Sequence, residues 1–151
     1  MAAGERGRES VSRIYWDTNL FIYLHEDHPE FGPKVRRIYE ALIARNDTLC
    51  TSVFTVGEVL TLPLRMKDDA AISAIRDSML SGEVELLPFT LAMAQRYGQI
   101  RAVSSLKAAD ALHLATAIES RVSLFVTNDH QLQKLQVAEK PFTVGLDGKL
   151  F

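Results

Sequence analysis

The chain has 151 residues, 47% of them apolar and 24% charged, with a formal charge of −2 from 17 Lys and Arg against 19 Asp and Glu. This length suits one domain burying roughly 68–70% of its unfolded surface, and the composition excludes wholesale disorder. The slightly negative balance excludes nucleic-acid binding by bulk positive field, so a phosphodiester would have to be handled by local features.

Residues 1–12 read as a flexible N-terminal arm. Ile14-Tyr15-Trp16 is an apolar run without alternation, as expected of a strand buried on both faces of a parallel sheet. It ends at Asp17-Thr18-Asn19, a good helix start for Leu20 to Leu24. His25 to Gly32 is a polar turn, and Pro33 opens a helix whose Val35, Ile38, Leu42 and Ile43 repeat at helical spacing to Arg45. Leu49 to Thr51 is a second strand, with Ser52 capping a helix from Val53 to Leu62 that Pro63 is expected to break. An amphipathic helix spans Asp68 to Leu80 and stops at Gly82. Val84 to Leu87 is a third strand, followed by a helix from Thr90 to Val103 and, after Ser104-Ser105, another from Lys107 to Ser120. Ser123 to Val126 is a fourth strand, ending at the turn Thr127-Asn128-Asp129. A short helix near His130 to Leu135 and a strand from Phe142 to Val144 complete the chain. Strands alternating with helices predict an α/β fold with an open parallel sheet between helical layers.

Cys50 is the only cysteine, so no internal disulfide or thiolate zinc cage is available, which suits a reducing compartment. No apolar run approaches the ~18 residues that span a bilayer, and the leader MAAGERGRES lacks the apolar stretch of a signal peptide. The expectation is a soluble, cytoplasmic protein.

Four carboxylates call for an explanation. Asp17 and Asp129 lie just past apolar strands, where ligands bind in open α/β sheets, although either could equally serve as a helix N-cap. Glu58 has Phe54, Thr55, Thr61 and Leu62 as its helical neighbours, and Asp110 lies inside the apolar helix Ala108-Ala109-Asp110-Ala111-Leu112. Either could emerge, solvated, at the edge of its helix; buried and unpaired, each would tend to protonate. Like charges about 4 Å apart repel by about 4 kcal/mol at an effective dielectric of 20, so four acids on one rim would need a cation. Oxygen ligands favour Mg²⁺ or Mn²⁺ over zinc, and such sites serve phosphate chemistry.

Asp17-Thr18-Asn19, Ser52 through Glu58, Leu106 through Ala115 and Thr127-Asn128-Asp129, in this order, resemble the PIN-domain ribonucleases, and within them the VapC-type toxins of type II toxin–antitoxin pairs. The resemblance covers about residues 13 to 146. It implies a three-layer α/β/α sandwich on about five parallel strands, with a single PIN domain over 13–151. It also implies a Mg²⁺- or Mn²⁺-dependent endoribonuclease with Asp17 and Asp110 as the main metal ligands. Glu58 would bind directly or through water, Asp129 would complete the acidic pocket, and Asn19 and Thr127 would support it. RNA as substrate, a cognate antitoxin and a homodimer follow from the same likeness. The family's fourth motif usually leads to an aromatic residue; Leu132 stands in the nearest place here, a change expected to affect packing.

Other residues have simpler readings. His25 and His28 suit a solvated turn, His113 a satisfied core position, Lys34, Arg36 and Arg37 a solvated helix face, and Cys50, Met66, Met79 and Met93 packing. Lys107, one turn before Asp110, could pair with it or with a substrate phosphate. Two other functions fit less well. A phosphatase with Asp17 as nucleophile usually wants a carboxylate two residues on, where Asn19 stands. A catalytically silent module binding RNA or protein would have no reason to keep four acids.

Overall fold

The structure is a computed structural model that describes residues 12–148. The predicted arm lies outside the described residues except for Ser12, whose carbonyl accepts from the Thr48 N–H at 2.8 Å. In chain order the elements are β1 (Arg13–Trp16), α1 (Thr18–His25), α2 (Phe31–Arg45), β2 (Thr48–Ser52), α3 (Val53–Arg65) and α4 (Asp69–Leu80). There follow β3 (Val84–Leu87), α5 (Leu91–Val103), α6 (Ala108–Glu119), β4 (Leu124–Val126), α7 (His130–Lys134) and β5 (Phe142–Val144). The five strands pair in the order β3-β2-β1-β4-β5, and every pair is parallel. The predicted sheet and its strand number are therefore observed.

The strands are apolar on both faces because both faces are covered. Side chains alternate across a strand, so Ile14, Trp16, Leu49, Leu124 and Val126 pack on one side with Leu20, Val35, Ile38, Leu42 and Ile75. Tyr15, Cys50 and Phe125 face the other side, against Ile100, Leu106, Leu114 and Ile118. The Tyr15 and Phe125 rings stack at 5.1 Å and 8°, an arrangement adding about 0.5–1.5 kcal/mol beyond area burial. Helix α6 is the most deeply set, with Ala111 and residues 113–118 all buried.

Three details differ from expectation. Pro63 lies inside α3 rather than ending it. Proline frees only the carbonyl four residues back, and the helix has just two residues left to run. Phe31 and Gly32 join α2 ahead of Pro33, because His28 Nδ1 accepts from the Phe31 N–H at 3.0 Å and opens the helix early. Met66, read as packing, is 71% exposed at the C-cap of α3. Cys50, Met79, Met93 and Leu132 are buried as expected. Lys34 and Arg36 pair with Asp147 and Asp27 on the surface, as a solvated face would. No helix among the described residues is long and apolar enough to cross a membrane.

The strand order decides where a site can form. The chain enters at β1, builds to β2 and β3 on one side, then crosses over to β4 and β5 on the other. The reversal falls between β1 and β4, and the crevice beyond the carboxyl ends of such a pair is where open α/β sheets bind ligands.

Candidate active site

Asp17 follows β1 and Thr127 follows β4, so both stand at that crevice. Asp17 occupies the N-cap position of α1, yet its carboxylate makes no capping hydrogen bond. Instead Oδ2 accepts from the Thr127 hydroxyl at 2.7 Å, in a place only 4% exposed. The Thr127 oxygen in turn accepts from the Asp129 N–H at 3.0 Å, tying both ends of the crevice together. Asp129 does act as a cap: its Oδ1 accepts from Gln131 N–H at 2.8 Å and Leu132 N–H at 3.2 Å. The N-cap reading thus holds for Asp129 and not for Asp17. Asp129 caps a helix, and Asp17 is held by a hydroxyl from the neighbouring strand end.

Asp110 is half-buried in the first turn of α6. A helix N-terminus favours a carboxylate, but here the carboxyl is pushed above its usual range. Burial contributes most, followed by the negative charges of Asp17 and Asp129, while His113 and Lys107 pull weakly the other way. Two aspartates from separate segments therefore reach Asp110 electrostatically.

Glu58 sits differently. Its Oε1 receives Thr18 Oγ1 at 2.6 Å and His113 Nε2 at 2.7 Å. Burial would raise this carboxyl, but the bonds from His113 and Thr18 outweigh it and hold it below its ordinary range. The seat continues inward. Thr51 donates to the Trp16 carbonyl at 2.9 Å, its hydroxyl lies 2.7 Å from that of Thr55, and Thr55 lies 3.3 Å from Thr18. Of the supporting residues expected, Thr127 is fully engaged. Asn19 is exposed and has no hydrogen-bond partner among the described residues. Among those residues, no three His, Cys, Asp or Glu side chains stand as a ready-made ion cage.

Sequence reasoning missed Thr18, Thr51, Thr55 and Tyr15. Thr51 and Thr55, four residues apart across the Ser52 cap, carried a faint signal, and Thr18 stood inside a motif already noticed; Tyr15 carried none. His113 is the buried histidine anticipated, but it also reaches Glu58.

Comparison with known proteins places this geometry. Among curated proteins, none matches the sequence. Solved structures do. The VapBC2 complex of Rickettsia felis bound to a promoter DNA fragment matches with TM-score 0.71 at 20% identity, over 88% of this chain and 98% of that one. A toxin–antitoxin complex from Klebsiella pneumoniae matches with TM-score 0.67 at 22% identity, over 88% and 97%. VapC20 of Mycobacterium tuberculosis, a sarcin-ricin loop cleaving toxin, matches with TM-score 0.61 at 20% identity, over 74% and 86%. The PIN domain profile matches residues 14–138, from the first strand to beyond Asp129, a span that includes all four acids: the chain belongs to the PIN-domain family.

Proposed function

We propose that this protein is a Mg²⁺- or Mn²⁺-dependent endoribonuclease, a single PIN domain serving as the toxin of a toxin–antitoxin pair in the cytoplasm. The observation that carries this reading is Asp110 at the sheet's switch point, disfavoured as an anion first by its burial and then by the charges of Asp17 and Asp129. An all-oxygen donor set with unrelieved negative charge fits a hard divalent cation. Such an ion, when bound, polarises phosphoryl oxygens and lowers the pKa of coordinated water.

The protein's own part is positioning. Asp17 and Asp110 are the residues to hold the ion, with Asp129 completing the acidic pocket. Thr127 keeps Asp17 in one rotamer through its 2.7 Å bond. Glu58, ionised by its seat, orients the attacking water directly or through the ion's shell. Asn19, exposed next to Asp17, is placed for a polar contact with the RNA backbone. The leaving 3′-oxygen is expelled in line, which yields 5′-phosphate and 3′-hydroxyl ends.

The toxin role is supported by the structural likeness to toxin–antitoxin complexes and to a toxin that cleaves RNA. Leu62, Leu64, Met66 and Leu80 on α3 and α4 are more than half exposed, an apolar surface that suits contact with an antitoxin. A homodimer is part of the same reading.

The test is RNA cleavage by the purified chain in Mg²⁺ or Mn²⁺ against EDTA, with the ends mapped by sequencing. Metal-dependent cuts bearing 5′-phosphates, absent in Asp17→Asn, are expected. Cleavage that survives EDTA, or persists at wild-type rate in Asp17→Asn, defeats the reading.

A further inference from the structure

The buried contacts beneath Glu58 form a one-way chain of donors. The Ser52 main-chain N–H approaches Tyr15 Oη at 3.2 Å, and Tyr15 Oη lies 2.6 Å from His113 Nδ1. A backbone N–H can only donate, so the Tyr15 oxygen accepts from it and keeps its single hydrogen free to donate to Nδ1. An ionised carboxylate only accepts, so the nitrogen that faces Glu58 Oε1 at 2.7 Å, Nε2, carries the His113 hydrogen, and Nδ1 is left to accept from Tyr15. Thr18 supplies the second donor to the same oxygen, at 2.6 Å, and its own oxygen, 3.0 Å from Nε2, shares the imidazole hydrogen. With both bonds on Oε1, Glu58 Oε2 has no partner among the described residues and is the oxygen left for chemistry.

We propose that His113, held in one tautomer between Tyr15 and Glu58, is a positioning residue that fixes the rotamer of Glu58 for RNA hydrolysis. The inference rests on the nuclease reading above. Tyr15 is fully buried and His113 only 1% exposed, so bulk water cannot replace either bond. The chain also starts and ends on one segment: Ser52 is the N-cap of α3, the helix that bears Glu58. It thus locks α6 and β1 to the helix whose carboxylate it orients, and what His113 does for Glu58 is what an outer partner does for a metal or catalytic ligand.

Three variants separate positioning from packing. A Gln at 113 can bring an N–H near the former Nε2, an Asn places its amide near Nδ1, and Leu offers neither. His113→Leu and His113→Asn are expected to lower kcat by about 10–100-fold, the usual cost of losing an outer partner, with KM for RNA little changed. His113→Gln is expected to recover most of that loss. Combined with Glu58→Gln, His113→Leu should add no further loss, because its effect passes through Glu58. Independent of activity, ¹⁵N spectra of the metal-free protein should show His113 protonated at Nε2 and bare at Nδ1 in wild type, with the Nδ1 resonance moving in Tyr15→Phe, which removes its donor. If His113→Leu does not fold, Tyr15→Phe, which keeps the ring stacked on Phe125, carries the kinetic test with the same expected split. Wild-type rates in folded His113→Leu and His113→Asn, additive losses in the double variant, or a hydrogen on Nδ1 overturn the proposal. Wild-type protein that cleaves no RNA while showing the Nε2 hydrogen would instead overturn the nuclease reading.

Discussion

Glu58 and Asp110 are both carboxylates half-enclosed at the same end of one sheet, and their environments drive them in opposite directions. Glu58 has a seat of donors, from Thr18 and His113, which overcomes its burial and favours the charge. Asp110 has burial and two like charges, only weakly opposed by His113 and Lys107, so its charge is disfavoured. The difference lies not in residue type or depth but in whether the protein itself supplies the partner. Where it does, the group is prepaid as an anion and held still. Where it does not, the charge is left without a compensating donor from the protein.

The largest expected effect breaks the unsatisfied side. Asp110→Asn keeps the shape and removes the repelled charge, so hydrolysis should fall by at least about 100-fold, beyond the cost of losing an outer partner. Stability at neutral pH should not fall with it. The raised carboxyl means the folded state holds its proton longer than the unfolded chain does. Wild-type stability therefore drops as pH rises from the ordinary 3.8 through the raised value. Denaturant melts against pH should show that drop in wild type and its loss in Asp110→Asn. A marked destabilisation at pH 7 would refute the contrast.

The opposite experiment acts on the satisfied side. Glu58→Gln removes a charge that accepts two part-buried bonds and should cost about 1.5–3 kcal/mol at pH 7, the range for bonds to charged groups. Here the sign reverses. The folded carboxyl is lowered, so its stabilisation is present above the ordinary 4.5 and fades as pH falls through the folded value. Wild type and variant should converge in acid; parallel melting curves across that window would contradict the seat described here.

The smallest effect concerns the aspartate that belongs to both sides. Asp129 caps α7 through Gln131 and Leu132, so Asp129→Ala should lower stability by about 1 kcal/mol, read from urea melts. Asp129→Asn should restore the cap but not activity, which isolates the charge from the hydrogen bonds.

Much of this molecule was legible in advance because the signals were local. Apolar runs without alternation, such as Ile14 to Trp16, announce strands covered on both faces, and Ser52 and Thr90 each stand where they cap a helix through their side chains. Pro63 misled because the penalty of proline depends on how much helix remains beyond it. Asp17 and Asp129 looked alike in sequence, each an acid after a strand, and only their neighbours distinguish them.

The order of apolar and polar residues along the chain, with its caps and turns, was enough to determine an alternating α/β fold and to bring the four acids into view. That determination is local, since it rests on periodicity and on groups within a few residues of one another. The pairing of His113 with both Tyr15 and Glu58, 98 and 55 residues away along the chain, was decided by tertiary structure alone. Hydrogen-bond direction and the balance of charge depend on which surfaces the sheet order lays together, and no short stretch of residues carries that information.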